Sequence, residues 1–497
     1  MKQLSKHVTI IILPVMLMAC CNPLFANHPG KTASAVKNDI YTCNLKAAQE
    51  KIDAFSSQDP EILAMQYHKW FVDMLFFGLD SKGNVWENHV KKDIEAIEKG
   101  DTDQATKHAI LSNLLLQDCV VQMTQENQLS AATSFKGGYR HYEALKKINP
   151  DHPELLKIQA LYEILTGMIP EEFNWLKSLL GLEGNFKAGM RQLKSYLSNC
   201  NTKGNYYEAA FYYALFSAYM AEEPDEGRAY YQSELTEHKH SPLFRLGYAI
   251  LSEATGNTKQ GLSVLLENYS DQGDTKLALL DMHIGSFLIY QLKPEGQHYL
   301  KRFLSAWPGE SYRMQVYNLL YWNSLLHEPE NSQKHYAGKI LAMAASDKRY
   351  ADHPLVRELE SGISQLKPLL EARLLFNGGL YQRATETLDT GAQEVLQSPH
   401  KKHKLEYLYR KARLYTKSEQ NSEARAYYLR TIKYGKEETW YYAPQAALKL
   451  AEMHEKADDL TKAREYYELC LDINRGEYKR SFERQAKAGL ERIKNQT

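Results

Sequence analysis

A small residue followed four positions later by a bulky one recurs through this chain at intervals close to the length of one helical hairpin, and no other feature narrows the possible folds as much. In the last third the pattern is fuller, with a small residue, a second one twelve positions on, and a bulky one four beyond that. The triplets are Ala372, Ala384, Leu388; Ala412, Ala424, Tyr428; and Ala451, Ala463, Tyr467. A spacing of four puts the last two on one helix face, and a spacing of twelve crosses a turn into the preceding helix. Two antiparallel helices touching through alanines satisfy both spacings, with the bulky residue filling the space beside the close contact.

Upstream the same pair appears as Gly189 with Leu193, Gly227 with Tyr231, Gly261 with Leu265, Gly296 with Leu300 and Ala337 with Leu341. From Gly189 to Ala463 the successive small residues are 38, 34, 35, 41, 47, 40 and 39 positions apart. A drifting period of this length is that of stacked hairpins whose loops vary. Gly184, Gly256 and Gly379 each fall five residues before their small residue, where a helix ends on a left-handed position. Eight pairs at nearly even spacing argue against a non-repeating helical domain.

Gly138, Tyr142, Ala144, Leu145 and Pro150 resemble the second helix and terminal proline of a tetratricopeptide repeat, and Ala451, His454, Ala463 and Tyr467 resemble a whole unit. The resemblance spans at least Gly138 to Ile473. Most units lack the repeat's early Trp and final Pro, and insertions precede Ala337 and Ala384. It implies an all-α, right-handed superhelical solenoid of hairpins with a concave binding surface. A second likeness, to the inclusion-body-clearance family of tetratricopeptide proteins, rests on Phe135, Gly137 and Gly138, then Gly167, Pro170, Trp175, Leu179, Leu180, Gly184 and Gly189.

Composition agrees with helix. Gly (27) and Pro (16) are too sparse in 497 residues for a turn-rich β protein, and a charged fraction of 25% beside 43% hydrophobic residues excludes wholesale disorder and a polytopic membrane protein. Lys plus Arg and Asp plus Glu are both 61, so no net field draws the chain to nucleic acid.

Residues 1–26 read as an export signal. Lys2 and Lys6 precede an uncharged run from Val8 to Met18 that is too short to span a bilayer and is broken by Pro14. Leu17, Met18, Ala19 and Cys20 resemble a bacterial lipobox, which implies a lipid anchor on Cys20 and membrane attachment in the periplasm; Asp does not follow Cys20, so an outer-membrane destination is permitted. The alternative is cleavage after Ala26, leaving a soluble secreted or periplasmic chain. Beyond the signal we expect an N-terminal helical cap or module over 27–101, irregular hairpins over 102–360, and C-terminal hairpins with a capping helix over 361–497. Cys43, Cys119, Cys200 and Cys470, scattered without metal-ligand spacing, read as core thiols.

Chemistry is sparse. The zincin, dinucleotide, P-loop and hydrolase motifs are absent, so no catalytic, cofactor-binding or metal residues are expected, nor a small-molecule substrate. His238 with His240 and His400 with His403 sit among lysines in expected loops, where cation repulsion opposes a metal. Asp80, Lys82, Gly83 and Asn84, and Asp271, Gly273 and Asp274, lack the ligands of a calcium loop and read as turns. Lys401, Lys402 and Lys404 read as a charged loop.

Two surfaces remain as candidates. Tyr206, Tyr207, Phe211, Tyr212, Tyr213, Phe216 and Tyr219 crowd one helix, more than a single face can bury, and the hairpin frame puts Tyr212, Phe216 and Tyr219 on the inner side, with thick core packing as the alternative. The same frame aligns Arg373, Arg410, Arg413 and Lys449 along the C-terminal units, partly offset by Glu406 and Glu452, against the alternative of a solvated helix face. The expected function is non-catalytic protein binding, as a scaffold or assembly factor of the cell envelope. Two rivals are a lipid-anchored glycan-binding protein that partners an outer-membrane transporter and an α/α-toroid glycoside hydrolase or lyase.

Overall fold

The computed structural model describes residues 29–55, 59–78, 81–125, 127–169, 184–221, 224–267, 269, 277–347, 350 and 353–494. The export signal with Cys20, the stretch holding Pro170, Trp175, Leu179 and Leu180, and Asp80 and Asp271 to Asp274 lie outside them, whereas Lys82, Gly83 and Asn84, expected as a turn, lie in the helix Ser81–Lys99. Every regular element among the described residues is an α-helix. None is long and apolar enough to cross a membrane.

The chain packs as two units, residues 1–284 with 301–311 and residues 285–300 with 312–497. The first contains α1 (Pro29–Tyr41), α2 (Leu45–Asp53), α3 (Pro60–Phe77), α4 (Ser81–Lys99), α5 (Gln104–Thr124), α6 (Gln128–Ile148), α7 (Leu155–Gly167), α8 (Phe186–Leu197), α9 (Lys203–Tyr219), α10 (Pro224–His238), α11 (Pro242–Ala254) and α12 (Thr258–Glu267). The division falls within α13 (Ala278–Tyr290) and α14 (Gly296–Ala306). The second unit continues with α15 (Arg313–His327), α16 (Glu330–Ser346), α17 (Pro354–Ser361), α18 (Lys367–Asn377), α19 (Tyr381–Thr390), α20 (Ala392–Gln397), α21 (Lys401–Lys417), α22 (Asn421–Gly435), α23 (Tyr442–Lys456), α24 (Leu460–Ile473) and α25 (Lys479–Lys494).

Neighbouring helices pair, most extensively α5 with α6, α7 with α8, α21 with α22 and α23 with α24. In the second unit α15, α18, α21 and α23, which belong to successive pairs, also touch in that order. The small residues lie at the crossings. A Cβ added to Gly189 would come 2.7 Å from the Ala160 carbonyl oxygen on α7, and one added to Gly296 would come 2.6 Å from that of Gly285 on α13. Of the eight small and bulky pairs, seven are buried at both members. The exception is Ala337 with Leu341, where Leu341 is exposed and the buried pair is Tyr336 with Ile340, one residue earlier. The insertion before this unit shifts its helix face by one position.

Ala424 and Ala463 have no exposed surface at all, packed beside Tyr428 and Tyr467. Enlarging either to Leu is therefore expected to cost about 1–3 kcal/mol through overpacking. Thermal melts followed by circular dichroism check this, and unchanged midpoints for both variants would contradict the close crossing.

One turn geometry recurs between paired helices. Gly256, Gly379, Glu419 and Asp458 all take a left-handed conformation, with φ of 70°, 74°, 59° and 59°. The next N–H reaches back five residues in each case, from Asn257 to Ser252, Leu380 to Leu375, Gln420 to Tyr415 and Asp459 to His454, at 2.7 to 2.9 Å. The following helix starts two residues after the left-handed one. Each crossing residue therefore arrives at the same distance from its turn. Gly184 does not share this conformation. It is required for close approach instead, since a Cβ there would come 2.9 Å from both the Glu163 carbonyl oxygen and the Gly167 nitrogen.

Cys43, Cys119, Cys200 and Cys470 are all free, and burial pushes each thiol up to about 12. Protonated thiols of this kind are inert packing.

Candidate functional site

The aromatic helix α9 departs from the groove expectation. Tyr212 and Phe216 are 3% and 0% exposed and belong to the core, while Tyr219, at the last turn, is 49% exposed. Every residue from Gly204 to Ser217 except the half-buried Asn205 is buried, because α1, α8, α10 and α11 all pack against this helix. The argument that one face must line a surface fails because the N-terminal helix α1 covers it. Contact is close there, with the Gly204 N–H donating to Asn38 Oδ1 at 2.6 Å.

Beneath α1 lies a closed ionic centre. Lys37 on α1 and Lys157 on α7 approach Glu208 Oε2 on α9 at 2.8 and 3.0 Å, and Lys157 reaches Glu154 Oε2 at 2.6 Å. The Tyr212 hydroxyl donates to Glu208 at 3.2 Å, and Tyr196 and Asn205 donate to Glu154 at 2.8 and 3.0 Å. Burial raises the Glu154 carboxyl, but Lys157 and Lys37 outweigh it and hold the group below its ordinary value. His68, beside the centre, is driven well below its ordinary value by burial and then by the two lysines. All four charged side chains are at most 5% exposed. Two cations and two anions with these donors neutralise one another, so the centre holds helices together and offers nothing to a ligand.

The cationic row of the second unit is more open. Arg410 is buried and gives its Nε–H to Glu406 Oε1 at 2.8 Å, while the Tyr442 hydroxyl donates to Glu406 Oε2 at 2.8 Å. Burial pushes the Glu406 carboxyl up, yet Arg410, Arg373 and Lys402 overcome it and set the group at about 2. Arg410 is thus an internal counter-ion. Lys449 is half-buried and pairs with Glu452 at 2.6 Å. Arg373 and Arg413 differ from both. Their guanidinium groups lie over the Trp322 ring at 4.3 Å and the Phe376 ring at 3.9 Å, each on a helix of the preceding pair, and neither meets a carboxylate among the described residues. Arg413 and Arg410 border a slight surface depression with Ala372, Phe376 and Leu414. It is a shallow dimple too tight to enclose a water molecule, so it is not a ligand pocket.

The expected charged loop at Lys401, Lys402 and Lys404 is the first turn of α21. Lys402 is buried there against Glu358 at 2.6 Å, and Lys401 meets Glu438 at 2.6 Å. His403 also lies on this helix, with both ring nitrogens engaged, by Ser398 Oγ at 2.7 Å and the Ser364 carbonyl at 2.9 Å. His238, at the end of α10, stacks on Tyr206 with centroids 4.1 Å apart. Neither histidine is a solvated loop residue. A different pair, His108 on α5 and His141 on α6, meets nitrogen to nitrogen at 2.8 Å. Thirty-three residues separate them, so only the antiparallel register of the hairpin brings them together.

Comparison with known proteins adds no relative, since no protein-family model matches the chain and no curated protein matches it.

Proposed function

We propose that this chain is a non-catalytic protein-binding scaffold or assembly factor of the cell envelope. Its hairpins would stack as a right-handed superhelical solenoid of tetratricopeptide type, tethered by lipid at Cys20, and it would hold a partly acidic protein segment against Arg373 and Arg413. The observation that carries this reading is the pair of half-buried arginines, each over an aromatic ring of the preceding helix pair and neither within ion-pair distance of a carboxylate among the described residues. A guanidinium held over a ring face by its charge can still donate N–H groups to an incoming carboxylate. The recurring left-handed turns and the contact order of α15, α18, α21 and α23 support the stacked arrangement.

Gln at both Arg373 and Arg413 tests the site and keeps the buried Arg410–Glu406 pair, and because Arg373 also helps to hold Glu406 ionised, a thermal melt of the double variant accompanies the binding assay. Two partly exposed cations contributing about 0.5–1 kcal/mol each predict a loss of roughly tenfold in partner capture from envelope extracts. Capture by the unaltered protein should also fall with added salt. Equal recovery by the double variant at every salt concentration sinks the site. The anchor is tested separately: Cys20→Ser should release the protein from membranes, and a wild-type chain that takes up no lipid label removes the tether from the proposal.

A further inference from the structure

The geometry points to a second, independent site: we propose that His108 and His141 chelate a tetragonal late transition-metal ion, Cu²⁺ in preference to Ni²⁺ and Zn²⁺. The two Nδ1 atoms stand 2.8 Å apart, with ring centroids at 5.1 Å and ring planes tilted by 42°. Cis ligands of a tetragonal ion, with metal–nitrogen bonds of about 2.0 Å at a right angle, are separated by about 2.8 Å, whereas a tetrahedral ion needs about 3.3 Å. The separation of the two Nδ1 atoms therefore matches the cis bite of Cu²⁺ better than that of a tetrahedral ion. Both rings are half-buried, which leaves the outer coordination positions to water.

Such close contact between two imidazoles requires one Nδ1–H donor and one Nδ1 lone pair, so the pair is held with at least one ring neutral. Burial lowers both rings further. His141 is drawn down to about 4 by burial and then by the charges of His108 and Arg140, and His108 is lowered by burial and then Lys107. Neutral imidazoles are ready ligands at pH 7. When the ion enters, the donor ring moves its proton from Nδ1 to Nε2 through solvent, and no net proton is released from the neutral pair. Lys107 and Arg140 repel any cation, which disfavours hard ions held by charge alone. They leave an ion that forms strong bonds to nitrogen as the best occupant.

Titrating the full chain with Cu²⁺, followed by electron paramagnetic resonance, tests the site. His108→Gln and His141→Gln should each weaken the tightest Cu²⁺ signal by about tenfold or more, and Zn²⁺ should compete at least about tenfold less well. Identical titrations for the wild type and both variants, or a loss confined to one variant, overturn the chelate. A measurement on the unaltered chain guards against variants that fold poorly. Diethyl pyrocarbonate labelling located by mass spectrometry should show Cu²⁺ protecting both rings, and equal labelling with and without the metal overturns the proposal.

Discussion

Replacing Glu208 with Gln is expected to destabilise the protein by about 3–5 kcal/mol, because it leaves Lys37 and Lys157 buried with a single carboxylate between them. Desolvating an ammonium is expensive, and here the cost is offset by two anions and their neutral donors within hydrogen-bond distance. The penalty belongs to the orphaned cation more than to the lost contact. A double variant, Glu208→Gln with Lys37→Met, returns the centre to one Lys and one Glu and should recover at least about 1 kcal/mol relative to the sum of the single changes. Urea denaturation of the four proteins of this cycle measures it. Strict additivity would mean that Lys37 and Glu208 are not coupled and that α1 is held by its other contacts, the Asn38–Gly204 hydrogen bond among them.

The second large effect is expected at Glu406. Its carboxyl sits at about 2 against an ordinary 4.5, so the folded state favours the ionised form. The stabilisation it contributes is fully present above about pH 4.5 and is lost as the pH falls towards 2. Glu406→Gln removes that dependence and leaves Arg410 buried and without its anion, at a cost of about 3–5 kcal/mol near neutral pH. Denaturation midpoints measured from pH 6 to pH 2 should therefore converge for wild type and variant at the acid end. A constant gap across that range would show that Glu406 is not the group being titrated. Glu154 is also held below its ordinary value by Lys157 and Lys37, so the difference between the two proteins is the informative quantity.

Much of the candidate site was legible only in part. Arg373 and Arg413 each follow a buried crossing alanine, Ala372 and Ala412, and each lies over an aromatic ring of the helix pair before it. Arg410 and Lys449 looked the same by spacing and are spent on Glu406 and Glu452. These acids sit four and three residues away, which the sequence also contains, but whether such a pair is buried or solvated depends on what covers it. In the Arg410 pair the cover includes Tyr442, thirty-six residues from Glu406.

By itself the sequence determined the helical class, the hairpin pitch and the positions of closest crossing, because these are local steric facts. Gly189, Ala384, Ala424 and Ala463 are small for want of room, and a helix repeats its faces every 3.6 residues wherever it lies. The tertiary structure alone decided which faces are covered. The burial of Tyr212 and Phe216 depends on α1 arriving from more than 160 residues away, the Lys37–Glu208 contact depends on the same arrival, and His108 meets His141 only through the register of α5 against α6. Helix periodicity reports the direction in which a side chain points from its own axis. What stands opposite is set by long-range packing, where apolar area and paired charge are exchanged for water, and no local spacing encodes that partner.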